Sequence, residues 1–246
     1  MNNYLITIEY DGSNFVGWQR QKNGISVQET IEKKIKKILK TKIKLIGSGR
    51  TDKGVHARSQ SANFFITKKI EDKKKFLNSI NFFLKKSLIS IIDIKKKKLN
   101  FNSRYSAKER VYEYKIINRL GSLSLDHNRA WHIKSKLDIK LLRLGAKILV
   151  GRHDFSTFRS SSCSAKSPIK NMRTVKVKKK GDEILITFKS QSFLQNQVRS
   201  MVGSLSYLAR KKWNLKEFKK ILKSRKRGLC APPAPACGLY LKIVKY

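Results

Sequence analysis

The sequence predicts an α+β fold made of two β-α-β-β-α-β halves, and three observations carry that expectation. Short stretches alternate apolar and polar residues with the two-residue period of a strand. Longer stretches repeat apolar residues at helical spacing, several of them opened by a Ser, Asp or Asn cap. The two patterns follow one another in the order β, α, β, β, α, β, and then do so again with longer insertions. Such an order suits a mainly antiparallel sheet with helices packed outside it.

Tyr4, Ile6, Ile8 and Tyr10 share one register and mark the first strand. Asp11-Gly12 reads as a turn, and the chain to Asn23-Gly24 as a loop. Ser26-Val-Gln-Glu29 has the pattern of a capping box, and Val27, Ile31, Ile35, Ile38 and Leu39 continue it as an amphipathic helix whose other face is lysine. Strand-like runs at Ile43 to Ile46 and Ala62 to Ile66 flank a glycine-rich loop. A second helix is expected from about Asp72 to Lys86, buried through Phe76, Ile80, Phe83 and Leu84, and then a strand from Leu88 to Ile94.

Residues 99 to 110 cross to the second half without a Pro, Gly or Ser linker, so residues 1–100 and 101–246 are expected as two rigidly joined halves. In the second half Val111 to Ile117 alternates as a strand, and a helix runs from Asp138 to Val150. Thr174 to Lys178 and Ile184 to Phe188 pair across Gly181-Asp182, a favoured two-residue hairpin turn. A helix spans Leu194 to Ala209, Asn214-Leu-Lys-Glu217 caps a shorter one, and Leu239 to Val244 closes as a strand.

Composition narrows the partners. Lys and Arg total 57 against 16 acidic residues, a net charge of +41 in 246 residues, which attracts a polyanion and makes its binding sensitive to salt. Richness in Lys, Ile and Asn together is also what coding bias produces, so the lysine runs at 73 to 75, 95 to 98 and 178 to 180 read first as solvated faces. Met1-Asn-Asn-Tyr-Leu-Ile enters a strand directly, without a signal region, and no apolar run reaches spanning length; a cytoplasmic protein with no membrane partner is expected. Three cysteines do not make a disulfide framework.

The chemistry concentrates between Ile46 and Phe65. Gly47, Gly49 and Gly54 surround Arg50, Thr51 and Asp52. A dinucleotide loop needs a glycine where Asp52 stands, and a triphosphate loop needs Lys and Ser or Thr where Val55 and His56 stand. The loop is built instead to present a carboxylate, with Arg50 keeping it ionised. A surface turn carrying an ion pair is the plainer reading of the same residues.

Gly49-Arg-Thr-Asp-Lys-Gly-Val-His-Ala57 resembles the catalytic signature of the TruA family of tRNA pseudouridine synthases. Glu9 to Gln21, Phe101 to Tyr114, Gly151 to Phe158, Ser192 to Gly203 and Ala231 to Tyr240 resemble the family's other motifs, in the family's order and over nearly the whole chain. The resemblance implies the pseudouridine synthase fold, with two ferredoxin-like halves joined into one sheet around a central cleft. It implies isomerisation of uridine to pseudouridine at positions 38, 39 and 40 of the anticodon stem-loop of tRNA, by a homodimer without metal, nucleotide or other cofactor. Residue by residue it makes Asp52 the catalytic carboxylate, nucleophile or base, and Arg199 the cation that pairs with it, with Arg50 a second positive partner. It makes Tyr112 the active-site aromatic and Leu239 an apolar residue against the base.

A flipped nucleoside also needs a held RNA strand. Trp18, Gln19 and Arg20 offer stacking and polar contacts in one loop, and Lys53, His56 and Arg58 surround the Asp52 loop. Each has a bland alternative: Trp18 packs, His56 is a satisfied structural histidine, Tyr112 is a core aromatic, and Arg199 is a snorkelling surface residue. Lys53 and Asn196-Gln197 depart from the family's usual residues. A zinc deaminase is excluded, because no His is followed two later by Glu and Cys230 and Cys237 are too far apart. A non-catalytic ferredoxin-like RNA-binding module explains fold and charge but leaves Arg50, Thr51 and Asp52 idle.

Overall fold

The computed structural model describes residues 1–246. They form two compact units, Met1–Lys108 with Tyr240–Tyr246, and Glu109–Leu239. The division falls inside the expected crossing, a few residues past the 100/101 boundary, and the last strand clusters with the first unit rather than with the second half.

In chain order the first unit contains β1 (Asn2–Tyr10), α1 (Val27–Leu39), β2 (Ile46–Gly47), β3 (His56–Ile66), α2 (Lys73–Leu84) and β4 (Ile89–Lys97). There follow β5 (Glu109–Asn118), β6 (Trp131–Ile133), α3 (Ile139–Ile148), β7 (Gly151–Asp154), β8 (Ile169–Lys180), β9 (Glu183–Ser190), α4 (Gln197–Ala209), α5 (Leu215–Ser224) and β10 (Leu239–Lys245). No helix is long and apolar enough to cross a membrane.

In the first unit β1 lies between β3 and β4, antiparallel to both, and β2 pairs antiparallel with β3. This is the strand order of the β-α-β-β-α-β motif, to which β10 adds a parallel partner for β3 through Tyr240 opposite His56 and Leu241 opposite Ala57. Tyr4, Ile6, Ile8 and Tyr10 are buried as their register requires, but Asn3 and Leu5 on the other register are buried too. Asn3 is accounted for by a polar network. Its Oδ1 accepts from Asn63 Nδ2 at 2.9 Å, and its Nδ2 donates to the Lys98 and Phe101 carbonyls, both at 2.9 Å. Asn63 Oδ1 accepts the Ser103 N–H at 2.9 Å. Two buried amides thus fasten the crossing segment to the sheet, which is how a stretch without apolar periodicity is held.

In the second unit the order is β5-β9-β8-β7, antiparallel throughout, and β6 runs parallel to β5. The hairpin turns at Gly181 (φ +54) and Asp182, with Lys180 opposite Glu183. α3 crosses α4 at Gly145, where a Cβ would lie 2.5 Å from Leu208 and 2.8 Å from Leu205. Nearly every residue of α4 is buried, so it is the core helix of this unit rather than an amphipathic surface helix.

Several expected boundaries shift for identifiable reasons. Ile43 to Leu45 form no strand, because α1 occupies the backbone of Leu45: Glu32 Oε1 accepts its N–H at 2.8 Å and Gln28 Nε2 donates to its carbonyl at 3.2 Å. β3 begins at His56, not Ala62, so the Asp52 loop is shorter than the apolar pattern implied. α4 begins at Gln197 rather than Leu194, because Asn196 takes a left-handed conformation (φ 60). The Ser26 box is half made: Ser26 Oγ accepts the Glu29 N–H at 3.2 Å, while the Glu29 carboxylate turns to Lys33 at 3.0 Å. At Asn214 both halves are present. The short strands β6 and β7 were not expected.

Candidate active site

In the first unit the Asp52 loop is fixed by the β1–α1 connection. Asp52 and Gly17 form an isolated β-bridge, and the Thr51 carbonyl accepts the Trp18 N–H at 3.0 Å. The Thr51 hydroxyl lies 2.8 Å from the Tyr10 hydroxyl, buried. Beyond Asp52 its carbonyl accepts the Val55 N–H at 3.2 Å, closing a turn that Gly54 completes at φ +76. Two glycines of the clamping segment leave no room for a side chain: a Cβ on Gly12 would stand 2.0 Å from the Val55 carbonyl oxygen, and one on Gly17 (φ +120) 2.6 Å from that of Thr51. The motif from Glu9 to Gln21 and the motif from Gly49 to Ala57 are therefore one structural object. It holds Asp52 half-buried on an immobilised backbone, with Arg50 and Lys53 exposed beside it.

Trp18 is 2% exposed. Its indole fills the space where Gly47 lacks a Cβ, at 2.4 Å from the position such an atom would take, and its ring centroid is 6.2 Å from that of Tyr10. It supports the loop from within, while Gln19 and Arg20 are exposed. His56 is equally buried. The Gly12 N–H lies 3.0 Å from its Nδ1. Asp11 Oδ1, 3.2 Å from the same nitrogen, is satisfied by Ser13, from N–H at 3.0 Å and Oγ at 2.6 Å. The His56 ring stacks on Tyr240 at 4.8 Å and 22°, and the exposed Arg58 carries its guanidinium 5.2 Å from the same phenol ring.

In the second unit Arg199 stands near the start of α4, half-buried. Its Nε donates to the Ala234 carbonyl at 2.7 Å and its Nη1 to Asn196 Oδ1 at 3.2 Å, and its own carbonyl accepts the Ala234 N–H at 2.9 Å. One turn later a Cβ on Gly203 would meet the Pro232 carbonyl oxygen at 2.0 Å. The segment Ala231 to Gly238 thus lies along α4 and is locked to it. At its other end the Tyr114 hydroxyl donates to the Pro235 carbonyl at 2.7 Å, and a Cβ on Gly238 would strike the Tyr114 ring at 2.7 Å. Burial pushes the Tyr114 phenol well above its ordinary pKa, and burial likewise raises the Cys237 thiol, with Arg199 opposing. Leu239 emerges from this locked segment as a buried residue. Tyr112 is 7% exposed on β5, its ring edge-on to Phe193 at 5.0 Å and 81°.

Sequence reasoning passed over Tyr10, Gly12, Gly17, Phe193, Asn196, Ala234 and Tyr240 as individuals. Most lie inside the motifs already singled out; what was hidden is that Gly12 meets His56 across 44 positions of chain, Ala234 meets Arg199 across 35 and Tyr240 meets His56 across 184.

A clamped loop presenting one aspartate on an α+β scaffold, in a chain of net charge +41, suits an enzyme that acts on a polyanion. A profile described as tRNA pseudouridine synthase matches residues 6–106 and 146–246. The chain belongs to the tRNA pseudouridine synthase family. A protein of Pelagibacter ubique (strain HTCC1062) named tRNA pseudouridine synthase A is 58% identical over 246 residues, covering 100% of both chains. Proteins of the same name from Maricaulis maris (strain MCS10) and Rhizobium meliloti (strain 1021) are 42% and 41% identical, covering all of this chain and 98% and 100% of theirs. The matched spans include Asp52, Arg199 and Leu239, whereas Tyr112 lies between them.

Proposed function

We propose that this protein converts uridine to pseudouridine on the 3′ side of the anticodon arm of tRNA, with Asp52 as the carboxylate that acts on the target nucleotide. The observation that carries the reading is the immobilised loop: Asp52 is bridged to Gly17 on one side and closed by the Val55 turn on the other, within a span that matches the family. A carboxylate that needs no reorganisation at the moment of reaction is what transition-state stabilisation requires.

The target base leaves its stack and enters a pocket. Asp52 then attacks the ribose C1′ as nucleophile, or removes a proton from the adjacent ribose carbon as base. In either case the bond from C1′ to N1 breaks, the uracil turns and C5 joins C1′; this displaces the Asp52 ester on the first route and is followed by return of the ribose proton from Asp52 on the second, and the C5 proton passes to solvent while N1 regains one. The reaction is an isomerisation and consumes nothing. The family resemblance gives Arg199 the part of the cation for Asp52 and Tyr112 and Leu239 the part of packing on the uracil, and Arg50 adds positive charge beside the carboxylate. Gln19, Arg20, Lys53 and Arg58 contact the strand.

The decisive experiment uses tRNA tritiated at uracil C5. The unmutated protein should release tritium; Asp52→Ala should bind the same tRNA and release none. Binding by the unmutated protein without any release would instead identify a non-catalytic RNA-binding module.

A further inference from the structure

We propose that Arg58 and Tyr240 form a clamp for one phosphodiester of the RNA strand next to the target nucleotide, an inference that rests on the tRNA-modifying reading above. β3 leaves the Asp52 loop at His56, and the two-residue strand period puts Arg58 on the same face as His56, about 7 Å further on. β10 runs parallel to β3 with Tyr240 opposite His56. The buried His56 imidazole lies nearly flat on the phenol ring, fixing its plane. The Arg58 guanidinium sits over that ring at 5.2 Å, on a side chain that is exposed and carries no hydrogen bond or ion pair to the rest of the chain.

A guanidinium held over an aromatic ring loses less freedom on binding, and its in-plane N–H groups remain available as a fork. That fork matches two non-bridging oxygens of a phosphate. Among 57 basic residues, most are lysines on solvated faces. Arg58 is set apart by its place: it rests on an aromatic ring that is itself stacked on a buried imidazole, a short distance along the strand from the Asp52 loop. A phosphate gripped there fixes the strand while the adjoining nucleotide turns outward. Tyr240 is a positioning residue in this arrangement, and Arg58 makes the contact.

The test reads binding alone, as the slope of log affinity for unmodified tRNA against log salt. Arg58→Ala should lower the slope by about 0.7 to 0.9 and weaken binding several-fold at low salt. Arg58→Lys should keep the slope, since the charge remains, yet bind more weakly than the unmutated protein because the fork is lost. Tyr240→Leu removes the plane and should bind as weakly as Arg58→Lys, with no further loss when the two are combined. An unchanged slope in Arg58→Ala, full affinity in Arg58→Lys, or full affinity in Tyr240→Leu would each overturn the clamp. Tritium release by the unmutated protein reports the activity separately, so failure of that reading is not confused with failure of this one.

Discussion

Arg199 is the residue in which sequence and structure meet most informatively. Its place one turn before Gly203 on an apolar helix is visible in the sequence; the reason for the glycine is not, because Pro232 lies 29 positions away. Gly203→Ala should destabilise the protein by about 1–3 kcal/mol through the clash with the Pro232 carbonyl, seen as a lower urea midpoint at unchanged slope. An unaltered midpoint would mean that the segment is not locked to α4. Trp18 teaches the converse: an aromatic in a polar loop suggests a stacking platform, yet the missing Cβ of Gly47 makes it a core residue. Tyr114 gives a pH signature. Its folded pKa is raised by burial, so its contribution is fully present below the unfolded value of about 10 and is lost as pH rises through the folded one. The unmutated protein should therefore lose stability above about pH 10 more steeply than Tyr114→Phe in thermal melts across alkaline pH. Parallel profiles would rule out a buried, neutral phenol.

At the level of elements, local signals were legible and non-local ones were not. The Gly181-Asp182 hairpin, the Asp72, Asp138 and Asn214 caps and the stripe of α1 depend on neighbours within a few residues, and each is found where the pattern puts it. The strand expected at Ile43 to Ile46 shrinks to two residues because Glu32, a full helix turn or more upstream, takes the Leu45 N–H. No window centred on Ile43 contains that information. Glu32→Ala should expose the cost of this substitute pairing, about 1–3 kcal/mol from an orphaned buried amide, measurable by chemical denaturation. If stability is unchanged, the Leu45 amide has found water and the explanation for the short β2 fails. The candidate site follows the same division: Asp52 and its flanking glycines were readable, but the clamp by Gly12 and Gly17 needed coordinates.

For the whole molecule, charge dominates. With 57 basic and 16 acidic residues, tRNA binding should weaken by orders of magnitude between roughly 50 and 200 mM salt if several phosphates are engaged, as a titration series would show. A flat response would make the excess charge a compositional by-product. The family is legible in the order of motifs, while the membership of the last strand is not. Tyr240–Tyr246 clusters with Met1–Lys108. The unit made first is thus finished last: while the ribosome translates everything between, β3 waits without the partner that Tyr240 and Leu241 will supply. A nascent chain carries the Asp52 loop long before the strand that will flank it exists.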